Sequence, residues 1–357
     1  MAEEFIRPAI KNLQEYVPGK TPEKAGVIKL ASNENPFGPS PLALAAIIKE
    51  SKRLHIYPDQ KSIVLREALS KKLGVKSDNI IAGNGSDEIM QLAAATFLRP
   101  GEEVIIPAHT FSLYKTFTQI FDGQPVVVAL NNLEQDLEAM AKAVTKRTKL
   151  IFLCNPHNPT GTYLSAKQLD AFLNKIPDNV LVVLDEAYAE YAEAADFPGS
   201  IKYLKTDKNI LILRTFSKFY GLAGLRVGYG LAKPELISYM FRVKSPFNVN
   251  RLAQAGALAA LDDADFKDKT YQNNVGGKSY LYAELDKRGV EYKKTESNFI
   301  FINLKMSADE MFLQMMKKSV IIRPLTSFGL SKAVRVSIGT KEQNKKFILA
   351  LAGLLLA

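Results

Sequence analysis

The chain has 357 residues, more than one hydrophobic core comfortably fills, so two domains are expected. Apolar residues at 47% and charged residues at 24% exclude a disordered or fibrous chain. A net charge of +10 would suit an anionic partner, yet Lys and Arg are spread among acidic residues, which argues for a solvated basic surface and against nucleic-acid or membrane binding.

The first ten residues lack the basic start and apolar run of a secretory signal, and no stretch approaches the roughly 18 apolar residues of a membrane span. A cytoplasmic location is therefore expected. Cys154 is the sole cysteine, and His55, His109 and His157 have no metal-ligand spacing, so neither an internal disulfide nor a metal site is expected. Residues 1–35 read as an N-terminal arm, and the proline-rich run Asn35-Pro-Phe-Gly-Pro-Ser-Pro41 reads as a crossing segment.

From there to residue 245, short β-branched runs alternate with helix-period segments, the pattern of a largely parallel sheet covered by helices. Candidate strands are Asn79–Ala82, Val104–Pro107, Val126–Ala129, Leu150–Cys154, Val180–Asp185, Ile210–Thr215 and Val227–Leu231. Several lack polar alternation, as strands covered on both faces should. Helix starts are legible as capping boxes at Ser165/Gln168, Ser307/Glu310 and Thr340/Gln343. Residues 246–357 change character: long helices around 250–261 and 265–288, strands at Phe299–Asn303 and Val334–Ile338, and an apolar closing helix from Phe347. They read as a smaller α+β domain.

In open parallel sheets ligands lie beyond the carboxyl ends of the strands, so the residues after each strand come first. Gly83-Asn-Gly-Ser-Asp-Glu88 offers glycines and a helix N-terminus, which suit a phosphate, although such a turn also arises from geometry alone. Asn155-Pro-His-Asn-Pro-Thr-Gly161 is a rigid turn that presents Asn158. Asp185-Glu-Ala-Tyr188 puts a carboxylate at the end of an apolar strand, where it either caps a helix or meets a cation such as a protonated pyridine nitrogen. In the run Arg214 to Tyr229, Lys218 stands among apolar and small residues, where a lysine can lose its proton and form a Schiff base. Ser217 and Arg226 are within reach of a phosphate.

These motifs, with Asn33-Glu-Asn-Pro-Phe-Gly-Pro-Ser-Pro41 and Tyr57-Pro-Asp59, resemble those of the pyridoxal-5′-phosphate-dependent aminotransferases of fold type I, and specifically the histidinol-phosphate aminotransferases. The resemblance covers nearly the whole chain. It implies the fold type I α/β architecture, the cofactor pyridoxal 5′-phosphate, and a homodimer. It also implies that Lys218 bonds the cofactor covalently and moves a proton, and that Asp185 pairs with the pyridine nitrogen. By the same carry-over Asn158 and Tyr188 hold the ring hydroxyl, Gly85, Ser86, Asp87, Ser217 and Arg226 hold the phosphate, and Phe111 stacks on the ring. Phe111 is otherwise a core residue. Tyr57 matches the residue that reaches the cofactor phosphate of the neighbouring subunit. His157 departs from the usual Asn-Pro-Asn triplet, but Asn158 remains.

Tyr16, Asn33, Arg323 and Arg335 match substrate-facing positions of the family, with an arm anchor and a structural ion pair as the competing roles of Tyr16 and Arg323. The implied substrates are a phosphorylated amine and 2-oxoglutarate or glutamate. An aromatic amino acid aminotransferase and a threonine-phosphate decarboxylase remain as alternatives on the same scaffold. A cofactor-sensing transcription regulator is disfavoured, because fewer than 80 residues precede the first cofactor motif.

Overall fold

The computed structural model describes residues 5–11, 13, 15 and 26–355. Its main sheet has strands β1 (Ile80–Gly83), β2 (Glu103–Pro107), β3 (Gln124–Val128), β4 (Thr148–Cys154), β5 (Leu181–Asp185), β6 (Asn209–Thr215) and β7 (Gly228–Leu231). Their spatial order is β1-β7-β6-β5-β4-β2-β3. Every neighbouring pair is parallel except those of β7, which runs antiparallel to β1 and β6.

The missing polar alternation has a direct cause, since successive residues of the inner strands enter two different cores. Ile105, Ile151, Val182 and Ile210 pack on one face with Leu65 and Leu69 of α2 (Ile63–Leu73) and Leu169 and Phe172 of α5 (Ala166–Lys175). Val104, Phe152, Val183 and Leu211 pack on the other with Ile89 and Ala93 of α3 (Ser86–Phe97), Tyr114 and Phe117 of α4 (Leu113–Ile120), and Met240 of α6 (Pro234–Val243). The first core also takes Ala43 of α1 (Pro41–Ser51) and Ala253 and Ala257 of α7 (Arg251–Asp262).

A second, antiparallel sheet follows, β8 (Tyr292–Lys293), β9 (Phe299–Asn303), β10 (Arg323–Pro324) and β11 (Ala333–Ser337), in the order β8-β9-β11-β10. Its core joins Ile300, Val334 and Val336 to Leu281 of α8 (Ala264–Asp286), Met311 of α9 (Ala308–Lys317) and Phe347 of α10 (Lys341–Leu355). Leu30 and Ala31 belong to this core too, and Ile28–Lys29 pairs in parallel with Val320–Ile321. Crossing from one sheet to the other, Asn35 donates from Nδ2 to the Phe219 carbonyl at 2.8 Å. Residues 31–34 thereby come to lie beside Lys218.

The boxes at Ser165/Gln168 and Thr340/Gln343 form. Ser307 starts α9 without a side-chain cap, and the Ala308 amide donates to the Ser331 carbonyl at 2.8 Å. No helix among the described residues is long and apolar enough to cross a membrane.

Candidate active site

A cavity of about 260 Å³ opens beyond the carboxyl ends of β4, β5 and β6. It gathers Ser86, Asp87, Phe111, Asn158, Asp185, Tyr188, Ser217, Lys218 and Arg226 from the main sheet, with Asn33, Arg323 and Arg335 closing it from the second. Tyr57 is not brought there: it is 77% exposed and stacks on Phe247 at 4.7 Å between ring centres. Tyr16 lies outside the described residues.

Lys218 follows β6, and its Nζ donates to the Ser32 carbonyl at 3.0 Å. Burial lowers its pKa to about 8; the Arg335 cation pushes the same way, against Asp87 and Glu34. Such an amine is a nucleophile near neutral pH. Asp185 ends β5 and is buried. Its Oδ2 accepts from the Tyr114 hydroxyl at 2.6 Å and its Oδ1 from the Ala187 amide at 3.2 Å. Burial nevertheless raises its pKa to about 6, because desolvation outweighs those two bonds.

The glycine turn after β1 leads into α3, whose first amides belong to Ser86 and Asp87. Gly85 holds φ at +81°, which favours glycine, and a Cβ there would stand 2.5 Å from Arg226 Nη2 and displace the guanidinium. Arg226 itself takes φ +55°, which aims its guanidinium back over the turn. It bonds Asp87 Oδ2 at 2.9 Å and Ser217 Oγ at 3.3 Å. Amides at a helix start, a hydroxyl and a guanidinium converging on one place form an anion cradle.

Two long-range contacts tie the second sheet to the first. Asn33 donates from Nδ2 to the Tyr188 hydroxyl at 2.9 Å, and its own amide donates to Ser337 Oγ at 2.8 Å. Arg335 bonds Asn158 Oδ1 and donates to the Ala31 carbonyl at 2.9 Å. Arg323 stands directly across the β10–β11 ladder from Arg335, which puts both cations on one face of the sheet. Both are buried. A second cavity of about 430 Å³ shares Phe111, Arg323 and Phe328 with the first, and His109, Lys115 and Gln119 extend its wall.

Sequence reasoning gave no role to Tyr114 or to the Ser32 carbonyl. A tyrosine on the apolar face of a helix, in the first turn after the loop that follows a strand, was the available signal: a buried phenol must find an acceptor.

A sequence model of the family described as aminotransferase class I and II matches residues 25–351. A histidinol-phosphate aminotransferase from Moorella thermoacetica is 48% identical over 98% of this chain and 92% of its own length. Another from Bacillus licheniformis is 45% identical over 98% of this chain and 99% of its own length. Among solved structures, the histidinol-phosphate aminotransferase from Sinorhizobium meliloti in complex with pyridoxal-5′-phosphate superposes with a TM-score of 0.91. The match covers 99% of this chain and 98% of that one at 27% identity. The cavity at the strand ends, with its half-buried lysine, buried carboxylate and anion cradle, and a family match across almost the whole length lead to one conclusion: this chain belongs to the class I and II aminotransferases.

Proposed function

We propose that the chain is a pyridoxal-5′-phosphate enzyme that moves an amino group between histidinol phosphate and 2-oxoglutarate. The observation that carries this reading is one cavity lined by a lysine poised near pH 8, a buried carboxylate and an anion cradle. That donor set fits the cofactor group by group. When bound, the cofactor supplies an aldehyde and a protonated pyridine ring that can accept an electron pair.

The chain's own residues do the rest. The Ser86 and Asp87 amides, Ser217 and Arg226 would hold the phosphate. Asn158 and Tyr188 would donate to the ring hydroxyl, while Phe111 would pack on the ring face. Asp185 would hold a proton on the ring nitrogen, an ion pair that offsets the desolvation of its own carboxylate. Lys218 Nζ would anchor the aldehyde and, once displaced by the incoming amine, take up and return the substrate's α-proton. A base with a pKa near 8 is well matched to that task. Arg335 and Arg323 would bind the substrate's anionic end, with Asn33 and Tyr16 beside them, and the second cavity gives its distal half room. The working unit in this reading is a homodimer in which Tyr57 serves the neighbouring site.

Two arginine contacts to a phosphate monoester, each contributing roughly 1.5–3 kcal/mol, predict that histidinol phosphate exceeds histidinol by about 10²- to 10⁴-fold in kcat/KM. The test compares histidinol phosphate, histidinol, phenylalanine and threonine phosphate at fixed 2-oxoglutarate, in the wild type and in Arg323→Ala. Equal rates with histidinol and its phosphate would refute the phosphate site. Phenylalanine as the best substrate would favour an aromatic aminotransferase, and carbon dioxide release from threonine phosphate a decarboxylase. Borohydride reduction followed by peptide mapping should place the cofactor on Lys218.

A further inference from the structure

The carboxylate of Asp185 has two hydrogen-bond partners, and one of them is a side chain that neither the sequence motifs nor the proposed chemistry uses. Tyr114 lies on α4, 71 residues from Asp185, and is fully buried. Its hydroxyl donates to Asp185 Oδ2 at 2.6 Å. Its ring stacks on Phe152 of β4, with 4.6 Å between centres and planes 7° apart. It also meets Phe111 edge-on at 5.9 Å and 87°. The Thr118 hydroxyl donates to the Tyr114 carbonyl at 2.7 Å, inside the helix. The phenol is therefore fixed from three sides, and it touches both the carboxylate and the aromatic wall of the cavity.

We propose that Tyr114 is a positioning residue for the cofactor's ring nitrogen: its hydroxyl keeps Asp185 ionised and fixed in orientation, so that the carboxylate is ready to pair with a protonated ring. The inference rests on the reading that Asp185 faces that nitrogen. A buried carboxylate without such a donor takes up a proton, and a neutral acid cannot stabilise a cation. A hydrogen bond to a charged group from a pre-placed donor shifts that balance at no reorganisation when the ring arrives. The phenol has little tendency to ionise in its place, because burial, and then the Asp185 charge, push its own pKa well up. Tyr114 thus stays a donor across the whole working range of pH.

The experiment measures dissociation constants of the cofactor-stripped protein for pyridoxal 5′-phosphate and for its analogue with C–H in place of the ring nitrogen. Wild type should prefer the natural cofactor. Tyr114→Phe, which keeps the stacked ring, should lose about tenfold of that preference, the worth of roughly 1.4 kcal/mol, while its affinity for the analogue stays unchanged. Equal weakening towards both compounds would make Tyr114 a packing residue and overturn the proposal, as would no change towards either. A wild type that binds both compounds equally well would remove the pairing of Asp185 with the nitrogen itself, and the role of Tyr114 with it. That outcome is distinct from the loss of Tyr114's effect alone.

Discussion

Asp185 is expected to burden the cofactor-free protein, and the sign of that burden can be worked out. Its folded pKa of about 6 lies above the ordinary 3.8, because burial disfavours the charged form more than Tyr114 and the Ala187 amide favour it. Between those values the folded chain binds more protons than the unfolded one, so stability falls as pH rises, and the loss is complete above about pH 6. The shift corresponds to about 3 kcal/mol at 1.36 kcal/mol per unit. Asp185→Asn should therefore raise the melting temperature of cofactor-stripped protein at pH 8, and the gain should shrink towards pH 4. An equal gain at both pH values would contradict the account. The strand-end logic that pointed to Asp185 and Lys218 in the sequence brings both to one cavity, because Asp185 ends one apolar strand and Lys218 follows the next. Tyr114 and Asn33 were not assigned these contacts from sequence for the opposite reason: their partners are 71 and 155 residues away, and no local pattern records such contacts.

At the scale of elements, the runs of β-branched residues located the seven main strands to within one or two residues, because strands buried on both faces have a composition of their own. The reversed direction of β7 was not legible, since apolar pattern reports which faces are buried and carries no sign for chain direction. The cap at Ser307 did not form, although its motif is of the same kind as that at Ser165, and nothing in the structure explains the difference. The inverted strand matters to the site, because it lays Gly228 against the glycine turn after β1. A Cβ on Gly228 would stand 2.5 Å from the Ser86 amide nitrogen and 2.8 Å from both the Arg214 carbonyl oxygen and the Gly85 carbonyl carbon. All three are backbone atoms, so the turn itself must move. Gly228→Ala should destabilise by roughly 1–3 kcal/mol, as overpacking does, and should weaken cofactor binding as well. Gly224→Ala, with no atom within 4 Å of its added carbon, is the control and should do neither. Thermal melts and cofactor titrations of the two variants decide it, and identical behaviour would argue that the turn is more compliant than its geometry indicates.

The whole molecule leaves an unusual amount of apolar side chain uncovered on one stretch of chain. Leu42, Leu44 and Ile48 of α1, Leu54 and Ile56 after it, and Ile63 and Val64 of α2 are all exposed, and Tyr57 stands among them in sequence at 77% exposure. Apolar side chains left exposed along one stretch of chain suit a surface that meets another protein, and the proposed homodimer supplies a second copy of the chain. If Tyr57 crosses to the neighbour's anion cradle, its hydroxyl adds a charge-assisted bond to the phosphate, and Tyr57→Phe should weaken cofactor binding roughly 10- to 100-fold. Mixed dimers then separate the two possible geometries. In a dimer of one Tyr57→Phe subunit and one Lys218→Ala subunit, a crossing Tyr57 leaves one site with both changes and the other with neither. Such a dimer should retain about half the activity of wild type, because one of its two sites is intact. A Tyr57 that serves its own subunit instead leaves every site with one defect, and the mixed dimer should then fall to the level set by Tyr57→Phe at a single site. Full activity from a species that sedimentation shows to be a monomer would dismiss the shared site altogether.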